Sequence, residues 1–150
     1  YWSVDTIRRW RNGGKFDGKM LTEDQKHIYS VYQRILTLCN KEKAITEGEF
    51  FDLMYANTNG WRFNEHKQYT FLRKAGKELL FIIVNFDHIS VDVAINVPSH
   101  AFDFLQIPQM DIYPAVDLLT GKTESISLLP YKATEVSVEG YSGKILKIKL

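Results

Sequence analysis

Tyr69-Thr70-Phe71-Leu72-Arg73, then Lys74-Ala75-Gly76-Lys77, then Glu78-Leu79-Leu80-Phe81-Ile82-Ile83-Val84-Asn85-Phe86 decide how this chain folds. The first run reads as a strand, the second as a tight turn with a glycine free to take positive φ, and the third as the returning strand of a β-hairpin. Leu79 to Val84 is apolar without a break. Such a strand has no wet face, so it should lie centrally and be covered on both sides.

The cover expected for its second face is an amphipathic helix upstream, over about 22–43. Thr22-Glu23-Asp24-Gln25 has the form of a capping box, with two acids in the first turn where the helix dipole favours them. Ile28, Val31, Tyr32, Ile35, Leu36 and Cys39 recur at three- and four-residue spacing. Burying that stripe would contribute on the order of 10 kcal/mol before entropy, so the helix is expected to dock. Lys41, Lys43 and Gly48 mark its frayed exit.

Before the helix, Asn12-Gly13-Gly14 and Asp17-Gly18 are turn signals between the aromatics Trp2, Trp10 and Phe16, which predicts short helical turns. After Gly48 the hydrophobic period changes from about 3.6 to 2. Phe51, Leu53 and Tyr55 alternate with Asp52 and Met54, and a turn at Asn57-Thr58-Asn59-Gly60 follows. Beyond the hairpin, Val91 to Val97, Ile112 to Leu118, Thr123 to Leu128, Ala133 to Val138 and Lys144 to Leu150 read as strands, with Ser99 to Gln109 a loop or helical turn. The fold class is therefore mainly β: one amphipathic N-terminal helix packed on an antiparallel Greek-key sandwich of about eight strands.

At 150 residues, 45% apolar and 13% aromatic, the chain can bury a proper core. A formal net charge of +1 gives no electrostatic reason to expect nucleic acid or a membrane as partner. Arg8-Arg9-Trp10-Arg11 is a small patch balanced by Asp5 and Asp17, and Ile7 with Trp10 at i, i+3 is better explained as packing one side of a helical turn. The single cysteine, Cys39, excludes an internal disulfide and is expected to be a buried, inert thiol. The start, Tyr1-Trp2-Ser3, lacks an initiator methionine, which suggests a piece of something longer.

The residue types needed for catalysis are not grouped. His27, His66, His88 and His100 have no metal-ligand spacing, and Asp87-His88 with Asp92 fits a solvated turn. There is no nucleophile elbow and no phosphate-binding glycine pattern. Sugar binding needs only an exposed aromatic beside polar groups. Trp61, with Tyr55 and Arg62, is the candidate, although a large aromatic more commonly plugs a gap between a sandwich and its neighbour.

Several motifs, in order, carry a resemblance. Phe16-Asp17-Gly18-Lys19, Leu21 to Lys26, the helix through Leu38 and Ile45-Thr46-Glu47-Gly48-Glu49-Phe50 are similar to the last barrel helix of an α-amylase family enzyme (glycoside hydrolase family 13) and its exit into the C-terminal domain. Tyr69 to Arg73, Val84-Asn85-Phe86, Asp117-Leu118-Leu119-Thr120-Gly121 and Leu129-Pro130-Tyr131 are similar to strands and turns of that domain.

The resemblance implies that residues 1–48 are the tail of a (β/α)8 barrel and 49–150 a C-terminal sandwich. It also implies that the aspartate nucleophile, the acid/base glutamate and the third aspartate all precede Tyr1, so no catalytic residue is carried over. The parent would be a retaining hydrolase of α-glucans such as starch and maltooligosaccharides. Its barrel would be this chain's partner, and any calcium would belong to that barrel. An α-glucan is a second candidate partner, and the alternative reading is a free-standing carbohydrate-binding sandwich.

Overall fold

The computed structural model describes residues 3–150, so Tyr1 and the aromatic expected at Trp2 fall outside the described residues. The chain divides into two compact units, one ending at Cys39 and the other spanning Asn40–Leu150.

In the first unit, α1 (Val4–Arg11) is capped by the Ser3 hydroxyl and ends at Asn12 in the left-handed conformation. Trp10 and Phe16 meet edge to face at 5.2 Å. The long helix α2 (Glu23–Lys41) begins with the expected capping box. The Gln25 backbone N–H donates to the Thr22 hydroxyl, and the Thr22 N–H donates to the Gln25 side chain at 3.0 Å. The apolar stripe lies where the spacing put it, but it is not buried: Tyr32 is 64% and Leu36 60% exposed. Cys39 is half-buried, not inside a core.

The second unit holds eight strands: β1 (Glu49–Asp52), β2 (Gln68–Ala75), β3 (Glu78–Asn85), β4 (Val91–Ile95), β5 (Met110–Asp117), β6 (Thr123–Leu128), β7 (Thr134–Val138) and β8 (Ser142–Lys149). Six form one antiparallel sheet in the order β1-β2-β3-β8-β5-β6, and β4 with β7 forms a two-stranded ribbon. The last strand, β8, returns to lie between β3 and β5, a long-range insertion of the Greek-key kind. The residues of Ser99 to Gln109 include a helix, α4 (Ser99–Leu105), which buries Ala101, Phe102 and Leu105.

β3 is central, as its composition requires. Leu79, Phe81 and Ile83 face the main core with Leu72, Leu146 and Ile148 from neighbouring strands and Val93, Ile95, Val136 and Val138 from the ribbon. Leu80 and Ile82 point to the other face. The one-turn helix α3 (Lys43–Thr46) covers them, its Ala44 fully buried with them. A residue that small lets a helical backbone lie flush on a sheet. The Ala44 N–H donates to Glu78 Oε1 at 3.0 Å, and Arg73 donates to the carbonyls of Ala44 and Gly48 at 2.8 and 2.7 Å.

Two further expectations change. Ala75 pairs with Glu78, so the hairpin turn is the two residues Gly76-Lys77, with Gly76 at φ +55°. The strand expected through Tyr55 stops at Asp52, because the Asp52 carboxylate accepts from the Met54 N–H and starts a 3-10 turn, Met54–Ala56.

Candidate functional site

Asn57 anchors the loop that carries the site. Fully buried, it donates to the carbonyls of Leu53 and Asn96 at 2.8 and 3.0 Å and accepts the Asn96 N–H at 2.8 Å. From there the backbone takes left-handed conformations at Asn59 (φ +53°) and Arg62 (φ +58°). Phe63 turns inward and is buried, while the Trp61 ring is 73% exposed. Within the second unit Trp61 fills no gap, so only a neighbour outside this chain could give it the gap-filling role.

Arg62 lies beside that ring, its guanidinium carbon 5.0 Å from the ring centroid, within cation–π range. The guanidinium is itself held, with Nε donating to the Asp92 carbonyl at 3.0 Å and Nη1 3.3 Å from Glu135. The Arg62 carbonyl accepts from the Ala94 N–H, tying the loop to β4. Tyr55 goes elsewhere: its ring packs against Phe51, which also meets His100 and Phe104.

Trp61 borders an open cleft of about 590 Å³ whose polar lining includes Asp111, Ser127, Lys132 and Glu135. Asp111 accepts from Lys132 Nζ at 2.8 Å and from the Ser127 hydroxyl at 3.1 Å. The hydrogen bond from Lys132, then that from Ser127, hold the Asp111 carboxyl below its ordinary value, and the Asp111 hydrogen bond raises the Lys132 ammonium. Both groups are therefore charged at neutral pH. Sequence reasoning found Trp61 and Arg62 but not Asp111, Lys132 or Glu135, which reach the cleft only through the pairing of β5 with β6 and β4 with β7.

A second cleft, about 420 Å³, is lined by Asp92, Asp117, Glu124 and Lys144 among others. Three of its carboxylates are engaged. Glu124 pairs with Lys144 at 2.8 Å, Asp92 accepts the Ser137 hydroxyl, and Asp117 accepts from Leu119, Thr120 and Ile145. Asp87 likewise binds Lys67 at 2.7 Å and the His88 N–H. Among the described residues, no group of three or more His, Cys, Asp or Glu side chains is placed to hold a metal ion, and no helix is long and apolar enough to cross a membrane.

The sequence matches no family model and no curated protein. The fold does match. The structure is similar to a maltogenic α-amylase, AmyB, from Thermotoga neapolitana, at a TM-score of 0.63 and 14% identity over 88% of this chain and 27% of that one. It is similar to an Anoxybacillus α-amylase at 0.57 and 13% identity over 91% of this chain and 25% of that one. A Geobacillus thermoleovorans α-amylase complexed with acarbose gives 0.59 and 12% identity over 89% and 25%. The chain thus spans about a quarter of the length of these structures, and it shares the fold of that part of them.

Proposed function

We propose that this chain is the non-catalytic C-terminal region of an α-amylase-type glycoside hydrolase acting on α-glucans, and that its task is to support the catalytic barrel. The observation that carries the reading is coverage: nearly all of the chain superimposes on only about a quarter of each α-amylase. The ordered motifs from Phe16 to Tyr131 point the same way.

Two apolar surfaces favour a supporting role, each considered by itself. One is the α2 stripe, Ile28, Val31, Tyr32, Ile35 and Leu36, all exposed. The other is on the second unit's sheet, where the Phe50 and Tyr69 rings flank Phe71 at 5.3 and 5.8 Å and are themselves exposed. Surfaces of this kind call for a protein partner, which a barrel's outer helices would supply.

Sequencing the coding DNA upstream of Tyr1 tests the reading. Several hundred codons of alternating strand and helix patterns, with three carboxylates at strand ends, are expected. A start codon within a few residues of Tyr1 overturns it and leaves the free-standing sandwich as the better account.

A further inference from the structure

Asn-Gly occurs twice in the chain, at Asn12-Gly13 and Asn59-Gly60, and the fold treats the two pairs differently. The dipeptide has a chemistry of its own, because a glycine without a Cβ leaves its backbone nitrogen open to approach the side-chain amide of the residue before it. Both asparagines lie in the left-handed region, at φ +43° and +53°. Asn12 is held: its Nδ2 donates to Asp17 Oδ1 at 2.6 Å, and the same oxygen accepts the Lys19 N–H at 3.1 Å. The hydrogen bond from Asn12, then that from Lys19, keep the Asp17 carboxyl below its ordinary value, so the acceptor is charged at neutral pH.

Asn59 is exposed, and among the described residues only its backbone is engaged, the N–H donating to both carboxylate oxygens of Glu65 at 3.3 Å. Its side-chain amide has no partner there. Nor has the Gly60 N–H, while the Gly60 carbonyl accepts from the Phe63 N–H at a long 3.4 Å. Nothing therefore holds the Asn59 Cγ away from the Gly60 nitrogen. Because Asn59 is exposed, turning its side chain toward that nitrogen disturbs no core contact.

We propose that Asn59 is a site of spontaneous deamidation, and that Asp17 shields Asn12 from the same reaction. The Gly60 nitrogen gives its proton to solvent base and bonds to the Asn59 Cγ, while the Cγ–Nδ2 bond breaks and ammonia leaves with a proton from solvent. Water then opens the resulting succinimide at either carbonyl, so the balance is one amide and one water in, one carboxyl and one ammonia out. Opening at one carbonyl gives aspartate, a new charge beside the Glu65 carboxylate that the Asn59 N–H binds. Opening at the other gives isoaspartate, which lengthens the main chain by one carbon between the buried Asn57 and the buried Phe63. That segment carries Trp61 and Arg62, so the modification re-lays the loop as the molecule ages. The inference is independent of the activity proposed for a parent enzyme.

Incubating the full chain at mildly alkaline pH tests it, with peptides mapped over time by mass spectrometry and fragmentation that tells isoaspartate from aspartate. Conversion at Asn59 is expected to run at least about tenfold ahead of Asn12, where a hydrogen bond to a charged group must break before the ring closes. In urea that unfolds the chain the two rates should converge, because the dipeptides are the same. Asp17→Ala should bring Asn12 toward the Asn59 rate and leave Asn59 unchanged, and Gly60→Ala should slow Asn59 by shielding the nitrogen. In converted molecules the Trp61 indole N–H signal should move while that of Trp10 stays put, and a Trp61 signal that does not respond overturns the effect on the loop. The site itself is overturned if Asn59 stays intact, if Asn12 converts as fast as Asn59 in the folded chain, or if the gap between them persists unchanged in urea.

Discussion

Lys147 on β8 lies 2.8 Å from Glu78 on β3, and its ammonium also reaches Glu42, so one cation joins two strands of the sheet to the chain just before α3. Burial raises the Glu78 carboxyl, but hydrogen bonds from Lys147 and from the Ala44 N–H outweigh it, and the group sits below its ordinary value of 4.5. For Lys147, burial works downward and is outweighed by Glu42 and Glu78, so the ammonium sits above 10.5.

The sign of the pH dependence follows. A native Glu78 that binds its proton more weakly than the unfolded chain stabilises the fold fully above about pH 4.5, and this is lost as pH falls through the lowered native value. The Lys147 contribution is present below 10.5 and is lost only as pH rises through its raised value. Lys147→Met should therefore cost about 1–2 kcal/mol at pH 7, the ion pairs being partly screened by solvent. The gap between wild type and variant should narrow toward pH 3. Urea midpoints from pH 3 to 7 measure it, and an unchanged gap would show that Lys147 acts by packing alone.

Asn85 is buried at the end of β3 and all its polar capacity is used. It accepts from the Gln68 side chain at 3.1 Å and the Asp87 N–H at 3.0 Å, and donates to the Ile89 and Glu139 carbonyls at 2.8 and 3.1 Å. Asn85→Ala leaves several buried groups unpaired and should cost about 2–4 kcal/mol in chemical denaturation. Asn85→Asp keeps the acceptors but loses both donations, so it should not restore stability.

Gly140 allows the link between β7 and β8 to pass the loop after β3. A Cβ there would stand 2.2 Å from the His88 carbonyl oxygen and 2.5 Å from its carbon, a clash with backbone that no rotamer change relieves. Gly140→Ala should cost about 3 kcal/mol or more. Gly121→Ala is the informative contrast, because at φ +77° nothing lies within 4 Å of the added carbon. Only backbone strain opposes it, so about 1–2 kcal/mol is expected in the same denaturation experiment. Equal losses in the two variants would show that the close approach at Gly140 is not what constrains it.

The parts of the fold that were legible in the sequence are those written in local periodicity. The strand β6 ends at the residues its alternation indicated, the α2 cap is the Thr22–Gln25 box, and β3 is central because both of its faces are apolar. What was not legible depends on distant partners. Lys43 to Thr46 resembles a fraying helix end until Glu78 and Arg73, more than 25 residues away, cap it as α3. The insertion of β8 between β3 and β5 leaves no local trace. Asp111 and Lys132 are ordinary surface charges in sequence, 21 residues apart, and become one polar group only in three dimensions. The exposure of Trp61 follows from a left-handed Arg62, and arginine carries no signal for that conformation.

The apolar stripe of α2 gives a prediction about the chain in isolation. Ile28, Val31, Tyr32, Ile35 and Leu36 fall on one side of the helix at three- and four-residue spacing, and all are exposed. A contiguous apolar surface on an otherwise mixed-charge helix favours association in water, since burying it removes hydrocarbon from solvent. With a formal net charge of only +1, long-range repulsion does little to oppose it. Sedimentation velocity of the purified chain should therefore show concentration-dependent self-association. Tyr32→Glu with Leu36→Glu places two carboxylates in the middle of the stripe and should weaken association at least tenfold, about 1.4 kcal/mol. Helical circular dichroism should persist, because the Thr22–Gln25 cap is untouched and neither residue is buried within the chain. A wild-type chain that stays monomeric at every accessible concentration would mean that the stripe needs no partner, and it would remove one of the two surfaces on which the supporting role rests.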